Sequence, residues 1–379
     1  MRFTIEDSPV PKYVQLRDQI LLAIESGRLS VGDQLPTEDA LVRELGISRN
    51  TVRQAMADLL QRGQVTRERG RGTFVALQRT RHLDSESPTS RAIGVLVRDI
   101  ASQDDVYPEI IRGIQDVCSQ QDYHVILANT DARLDRMAEG MKSFLKAGVS
   151  GTIISPAMDQ MAMTTSQLRQ SFKESLELYN RFLDSGIPIV LINRRVPNLP
   201  VPCVLSDNEL GGYLATKHLL DQGHRRIAAL FPPVYSTVKA RETGYRKALA
   251  EAGIAPAEGW VQFACLDDPD PVRTMVDAVT KLSSPPTAIF AFTDDYAAKI
   301  FERLMELGLR VPEDVALVGY NDCRLALSLP VPLTSVAYPK YEIGQKAAQM
   351  LLRHPRPTGE ASSIVLPPTL IVRNSSVRG

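Results

Sequence analysis

Among the first eighty residues, the side chains best suited to chemistry are Arg49, Asn50, Arg53 and Gln54. Val52, Ala55, Met56 and Leu59 follow at spacings of three and four, so a helix here packs that apolar face inward while its first turns expose the four polar groups. Guanidinium groups pair bidentately with guanine, and Asn or Gln carboxamides with adenine, so a helix start built this way suits the base edges of a DNA major groove. Ser48 is a natural N-cap, and the Ser48 and Thr51 hydroxyls stand where phosphates meet a helix N-terminus. Gly70 and Gly72 let a backbone approach a duplex closely, with Arg71 between them suited to the minor groove. Residues 49–81 carry eight basic against two acidic side chains, a net of +6. That is the footprint of a phosphate-backbone binder, although a solvated basic face has the same composition.

A second set lies beyond residue 93, just past strand-like runs: Arg98 and Asp99, Asn193 and Arg194, Thr293 and Asp294, Asn321 and Asp322. Arg241 opens a helical segment. Ligands of α/β folds bind beyond the carboxyl ends of the strands. A mixture of Asp, Asn and Arg suits a polyhydroxylated ligand, because these planar groups take paired hydroxyls bidentately. The plainer role of each is a turn or helix cap. Asp104-Asp105 and the acidic run Asp267, Asp268 and Asp270 read as solvated loops.

Catalysis finds little support. The first strand of the later region carries a single Gly94 and no GxGxxG, and GxxxxGK[ST], HExxH and GxSxG do not occur. His218 and His224 are six apart, the wrong spacing for two zinc ligands one turn apart on a helix. The four cysteines are scattered without a CxxC, which speaks against a disulfide framework or zinc cluster and for a reducing, cytoplasmic setting. No catalytic residue, metal or cofactor is expected.

The elements that must position these groups follow from the same spacings. Pro11–Ser26, a second helix opened by Pro36-Thr37-Glu38, and Arg49–Gln61 read as three helices, with Gly46 and the apolar Ile47 making the tight turn before the third. Val65–Glu68 and Thr73–Ala76 read as a two-stranded ribbon around Gly70-Arg71-Gly72. Three helices and a ribbon make a winged helix-turn-helix. Residues 78–92, polar and containing Ser and Pro, read as a flexible tether. Beyond it, strands are expected at Ile93–Val97, His124–Asn129, Gly151–Ser155, Ile189–Asn193, Arg226–Phe231, Ala288–Phe292 and Val315–Gly319. Helices are expected at Pro108–Gln121, Arg133–Lys146, Leu168–Leu183, Leu210–Asp221, Ala240–Ala252, Val272–Leu282 and Ala297–Met305. That alternation implies parallel sheets covered on both faces. A region of this length suggests two lobes closing over a ligand as hinged jaws. Residues 157–183 are read as a surface extension over one lobe.

The composition fits this layout. A chain of 379 residues is long enough for two or more domains, and 44% hydrophobic with 23% charged residues is the balance of globular, ordered protein. Lys plus Arg equals Asp plus Glu at 44 each, which argues against a uniformly basic coat. Residues 1–82 nevertheless hold 13 basic and 10 acidic side chains, so the positive charge sits at the N-terminal end. No apolar run approaches the roughly 18 residues of a membrane span, and Met1–Ser8 lacks the apolar core of a signal peptide.

Two resemblances sharpen this reading. The stretch "LPTEDALVRELGISRNTVRQAMADLLQRGQVTRERGRGTFV" (35–75) resembles the DNA-binding head of GntR-type bacterial regulators, over residues 11–76. It implies DNA contacts from Lys12, Thr37, Glu38, Arg43, Ser48, Arg49, Asn50, Thr51 and Arg53, and from Arg69, Gly70, Arg71 and Gly72 of the wing. Asp39 departs from the Arg or Lys that many members place there to touch DNA. The phrases "GYLATKHLLDQGHRRIAAL" (212–230), "RETGYRKAL" (241–249), "FTDDYAAKIFERLMELGLRVPEDVALVGYND" (292–322) and "PLTSVAYPKYEIGQKAAQMLL" (332–352) resemble the sensor domain of LacI/GalR-type regulators, itself similar to periplasmic sugar-binding proteins. It implies effector positions at Arg241, Asp294, Asn321 and Asp322, with Asp99, Tyr107, Asn193, Arg194 and Thr293 alongside. Asn193 departs from the Asp common at its position.

Together the two resemble the arabinose-repressor-like subgroup of GntR regulators. The fold class implied is mixed: an α+β winged helix-turn-helix at 1–77, a linker at 78–92, and a two-lobed α/β sensor of periplasmic-binding-protein type I at 93–379. The minor-groove hinge helix of LacI-type proteins is absent from the sequence. The function implied is a homodimeric, cytoplasmic repressor of pseudo-palindromic operator DNA, controlled by a small carbohydrate-like effector and needing no membrane partner. The alternative is a ligand-sensing protein that works through protein partners without specific DNA binding.

Overall fold

The computed structural model describes residues 3–5, 11–25, 28–30, 32–61, 64–68, 71–75, 91–100, 106–156, 166–196, 199–232, 236–265, 268–353 and 363–377. The chain divides into two units, Met1–Thr89 and Ser90–Gly379. The tether residues 78–90 lie outside the described residues, as do Arg69, Gly70 and 157–165.

In the first unit α1 (Lys12–Glu25), α2 (Glu38–Leu45) and α3 (Arg49–Gln61) precede a ribbon of β1 (Val65–Glu68) and β2 (Gly72–Val75). The strands pair antiparallel, Val65 with Val75 through Glu68 with Gly72. Leu16 and Ile20 of α1, Leu41 of α2, Ile47 of the turn and Val52, Ala55, Met56 and Leu59 of α3 form one buried core, closed by Val65 and Val75. The apolar stripe of α3 is thus fully used inside the unit. Burying side chains of this size contributes about 1.5–3 kcal/mol each, which fixes the rotation of α3 and leaves its polar face outward.

The second unit carries two six-stranded sheets. The first lobe orders its strands β13-β7-β6-β5-β3-β4, where β3 is Ala92–Val97, β4 His124–Asn129, β5 Gly151–Ile154, β6 Ile189–Ile192, β7 Cys203–Ser206 and β13 Ile364–Leu366. All its pairings are parallel. Helices α4 (Val106–Ser119), α5 (Leu134–Ala147) and α6 (Ser166–Asp184) belong to it. The second lobe orders β14-β12-β11-β10-β8-β9, with β8 Ile227–Phe231, β9 Val261–Phe263, β10 Ala288–Ala291, β11 Ala316–Asn321, β12 Thr334–Ala337 and β14 Thr369–Ile371. Only β14 runs antiparallel, against β12. Its helices are α7 (Asn208–Asp221), α8 (Ser236–Glu251), α9 (Pro271–Thr280), α10 (Asp294–Glu306) and the short α11 (Leu325–Ser328). A last helix, α12 (Lys340–Arg353), returns to the first lobe, where it packs on α4, β5, β6 and β7.

The chain crosses between lobes three times: at Asp207, at Tyr338-Pro339, and at Pro367-Pro368 between β13 and β14. Each lobe also has a helix pair in close contact. A Cβ on Gly212 of α7 would stand 2.1 Å from the Arg241 carbonyl oxygen of α8, and one on Gly244 would stand 2.0 Å from that of Glu209. Glycine is required for that approach. Gly113 and Gly344 play the same part between α4 and α12.

Several expectations need correction. The strand assigned to Val315–Gly319 runs Ala316–Asn321, so Asn321 lies in the strand rather than after it. The tether's last residue, Ala92, already pairs with His124 in β3. The stretch read as a surface extension holds α6, whose Ser175, Tyr179 and Phe182 are buried in the first lobe's core, so its described part covers the sheet. The strands β7, β9, β12, β13 and β14 and the helices α11 and α12 were not expected.

Candidate functional site

The reading face of the first unit is set by the start of α3. Ser48 caps it, its Oγ accepting from the Thr51 amide at 3.1 Å and lying 2.8 Å from Thr51 Oγ1. Arg49, Asn50, Arg53 and Gln54 are exposed, while Val52, Ala55, Met56 and Leu59 are buried. Both arginines meet acids at the start of α2. Arg49 Nη2 donates to Asp39 Oδ1, and Arg53 Nε donates to Glu38 Oε2 at 3.2 Å. Glu38 also accepts from Arg67 of β1 at 2.5 Å. Glu38 is therefore turned toward two arginines of the face, a positioning role that spacing alone did not reveal.

Thr37, another expected contact, caps α2 by accepting from the Ala40 amide at 3.2 Å. Lys12 is exposed at the first turn of α1, and Arg43 is exposed while its Nε donates to the Asp39 carbonyl at 3.3 Å. In the wing, Arg71 lies 5.7 Å from the Phe74 ring centroid. Gly72 has φ +126°, and the Gln34 side chain occupies the space a Cβ would need, 2.5 Å away. That gives Gly72 a local reason independent of any duplex. Arg69 and Gly70, also expected to contact DNA, fall outside the described residues.

The second site is a cavity of about 330 Å³ between the lobes of the sensor unit. Of the expected effector residues, Asp99, Tyr107, Asn193, Arg194, Arg241, Thr293 and Asn321 line it. Asp294 and Asp322 are not brought to it. Asp294 is wholly buried, its Oδ1 accepting from Ser335 Oγ at 2.6 Å and its Oδ2 from the Cys323 amide at 2.8 Å. Asp322 pairs with Arg373 at 2.7 Å. Both carboxylates are engaged around the loop after β11. Arg98, Asp131, Ala132, Asn208, Thr237, Phe292 and Tyr338 also line the cavity. Of these only Arg98 was marked by its place after a strand.

Arg241 is the best-fixed group. Its Nε donates to Asn208 Oδ1 at 3.0 Å and its Nη1 to the Phe292 carbonyl at 2.5 Å. The guanidinium carbon lies 3.4 Å from the Tyr320 ring centroid and 4.4 Å from that of Phe292. Stacking between aromatic rings suits the planar Arg and no other cation. Tyr338 donates to Asn193 Oδ1. Burial holds the Tyr338 phenol well above its usual pKa, so it remains a donor. Tyr107 Oη lies 2.9 Å from Ser155 Oγ. Backbone strain gathers here too: Asp131, Ala132, Asn193 and Asn321 have φ of +46°, +58°, +68° and +101°. Non-glycine residues with positive φ cluster at binding and switch sites, where the surroundings hold them in place.

Known proteins bear directly on both sites. The gntR family of bacterial regulatory proteins matches residues 12–75, and a periplasmic binding protein-like domain matches residues 216–376. The arabinose metabolism transcriptional repressor of Geobacillus stearothermophilus is 30% identical over 98% of this chain and 99% of its own length. The chain belongs to the arabinose-repressor-like family of transcriptional regulators. This repressor thus joins a GntR-type head to a LacI-type, periplasmic-binding-protein-like domain. It is also similar to the HTH-type transcriptional repressor PurR of Vibrio campbellii, 30% identical over 76% of this chain and 81% of the relative. A LacI-family transcriptional regulator from Enterococcus faecium, solved with bound ribose, superposes with a TM-score of 0.59 at 27% identity, over 76% of this repressor and 98% of that chain. These relatives are transcription regulators, not enzymes. Among the described residues, no helix is long and apolar enough to cross a membrane.

Proposed function

We propose that this repressor binds pseudo-palindromic operator DNA as a homodimer in the cytoplasm, and that a small carbohydrate-like effector in the interlobe cavity controls its grip. One observation carries the DNA half. The start of α3 presents Arg49, Asn50, Arg53 and Gln54 outward while its other face is consumed by the core. A helix so fixed can enter a major groove with a defined register. Arg43, Ser48 and Thr51, Lys12 and Thr37, and the wing residues Arg69, Gly70, Arg71 and Gly72 supply backbone and minor-groove contacts, with Glu38 holding Arg53 and Arg67 in place. A two-fold dimer places two such heads on two half-sites.

The effector half rests on the cavity, where Arg241, Asn193, Asn321, Asp99 and Arg194 carry planar groups suited to vicinal hydroxyls and Thr293 and Tyr107 add single hydroxyls. The ribose bound to the Enterococcus regulator supports the same class. The effector acts by favouring one arrangement of the lobes over another. Selection of duplexes from a random pool, followed by titration, tests the reading. Arg49→Ala and Arg53→Ala should each abolish sequence preference and leave effector binding intact. Equal loss of both functions would count against separate roles for the two units.

A further inference from the structure

We propose that the effector is an acid, a sugar-like molecule whose carboxylate or phosphate oxygens are taken by Arg98 and Thr237. This rests on the interlobe cavity being the effector site, and it narrows the ligand class. Three observations carry it.

The first is what became of the carboxylates. A neutral polyol donates protons as well as accepting them, so its site needs acceptors. Asp294 and Asp322 are committed to Ser335, the Cys323 amide and Arg373. Position 193 carries an amide, whose oxygen accepts from Tyr338.

The second is the charge of the lining. Three guanidinium groups, Arg98, Arg194 and Arg241, face it with two carboxylates, Asp99 and Asp131. Asp131 already pairs with Arg136 and accepts from Asn129 at 2.5 Å.

The third is a pair of buried donors. Arg98 Nε and Thr237 Oγ1 are both buried with no hydrogen-bond partner among the described residues. Both belong to the cavity lining. Arg98 follows β3 of the first lobe and Thr237 stands in the first turn of α8 in the second. The Arg98 carbonyl accepts from the Ala132 amide at 3.0 Å, which ties its backbone to the strained turn at Asp131-Ala132. Buried donors are nearly always matched, and a mismatch of this kind at a site calls for a partner. An anionic oxygen is the strongest acceptor available to a guanidinium and a hydroxyl, and its several lone pairs let one group serve both lobes at once.

The test uses the full-length protein and matched probes: ribose and arabinose, their aldonates, their 5-phosphates, and inorganic phosphate. Melting temperature and titration calorimetry are read for each. At least one acid of the set should bind tighter than its neutral parent by roughly tenfold or more, the size of a hydrogen bond to a charged group. The aldonate and phosphate arms tell which acid it is. Arg98→Gln and Thr237→Val should each erase that advantage. Without ligand, both variants should melt close to wild type, because Arg98 Nε and Thr237 Oγ1 have no hydrogen bond to lose among the described residues.

A neutral sugar that binds as tightly as its acids, with Arg98→Gln without effect, overturns the proposal. So does a set in which no acid binds. If neutral binding is lost in Arg241→Ala, the cavity remains the effector site and only the charge assignment fails. If binding of every probe survives both Arg98→Gln and Arg241→Ala, the site itself is wrong.

Discussion

Asp39 brings a negative charge to a face that must meet phosphates, and its carboxylate is turned to Arg49 of the recognition helix. Both side chains are more than half exposed. Exposed pairs contribute only about 0.2–1 kcal/mol to stability, so this one matters for where Arg49 points rather than for folding. Asp39→Asn should therefore leave the melting temperature nearly unchanged. It should raise affinity for any duplex, steepen the fall of affinity with salt, and relax the preference at the base pair that Arg49→Ala also affects. Anisotropy titrations at several salt concentrations on selected and scrambled duplexes would check this. Unchanged discrimination would separate Asp39 from sequence reading. Arg241 gives the second test at this scale. Lysine keeps the charge but cannot lie flat on Tyr320 while donating to Asn208 and Phe292. Arg241→Lys should weaken any ligand that stabilises wild type by roughly tenfold or more, measured by calorimetry.

At the scale of elements, strands such as β3, β6 and β10 were legible, because four or more consecutive Ile, Val, Leu, Phe, Ala or Gly residues with turn signals around them suit a strand buried on both faces. The three-residue strands β9, β13 and β14 were not, since their pairing depends on partners far away in sequence. Helix α12 had a usable signal, with Ile343, Ala347, Ala348, Met350 and Leu351 at helical spacing. The site divides the same way. Position after a strand end points to Asp99, Asn193 and Arg194, which line the cavity, whereas Asp294 and Asp322 share that position and turn to Ser335 and Arg373. Strand ends locate a backbone, but the direction of a side chain is settled by partners elsewhere in the chain. The α7–α8 contact yields a sharper test. An alanine Cβ at Gly212 would collide with the Arg241 backbone, so Gly212→Ala should cost about 1–3 kcal/mol or more of stability. It should also weaken effector binding by moving Arg241. Thermal melts and titration of the same sample would show both losses together.

On the scale of the whole molecule, the two tasks sit in separate units and obey different physics. DNA affinity is dominated by counterion release, so the slope of log affinity against log salt counts neutralised phosphates. A dimer with two heads on a full pseudo-palindrome should show about twice the slope found on a half-site duplex. Equal slopes would mean that only one head engages. The proposed effector site lies within the second unit, where the chain passes between lobes three times. One of those passages is Pro367-Pro368, which joins β13 of one sheet to β14 of the other. Proline rings hold φ near −65°, so this strap resists torsion. Two φ angles of one of the three connections between the lobes are therefore fixed, which stiffens that connection. Neither proline lines the cavity, so replacing both with glycine should leave ligand titrations close to wild type while loosening that connection, which a smaller ligand-dependent change in duplex affinity would reveal.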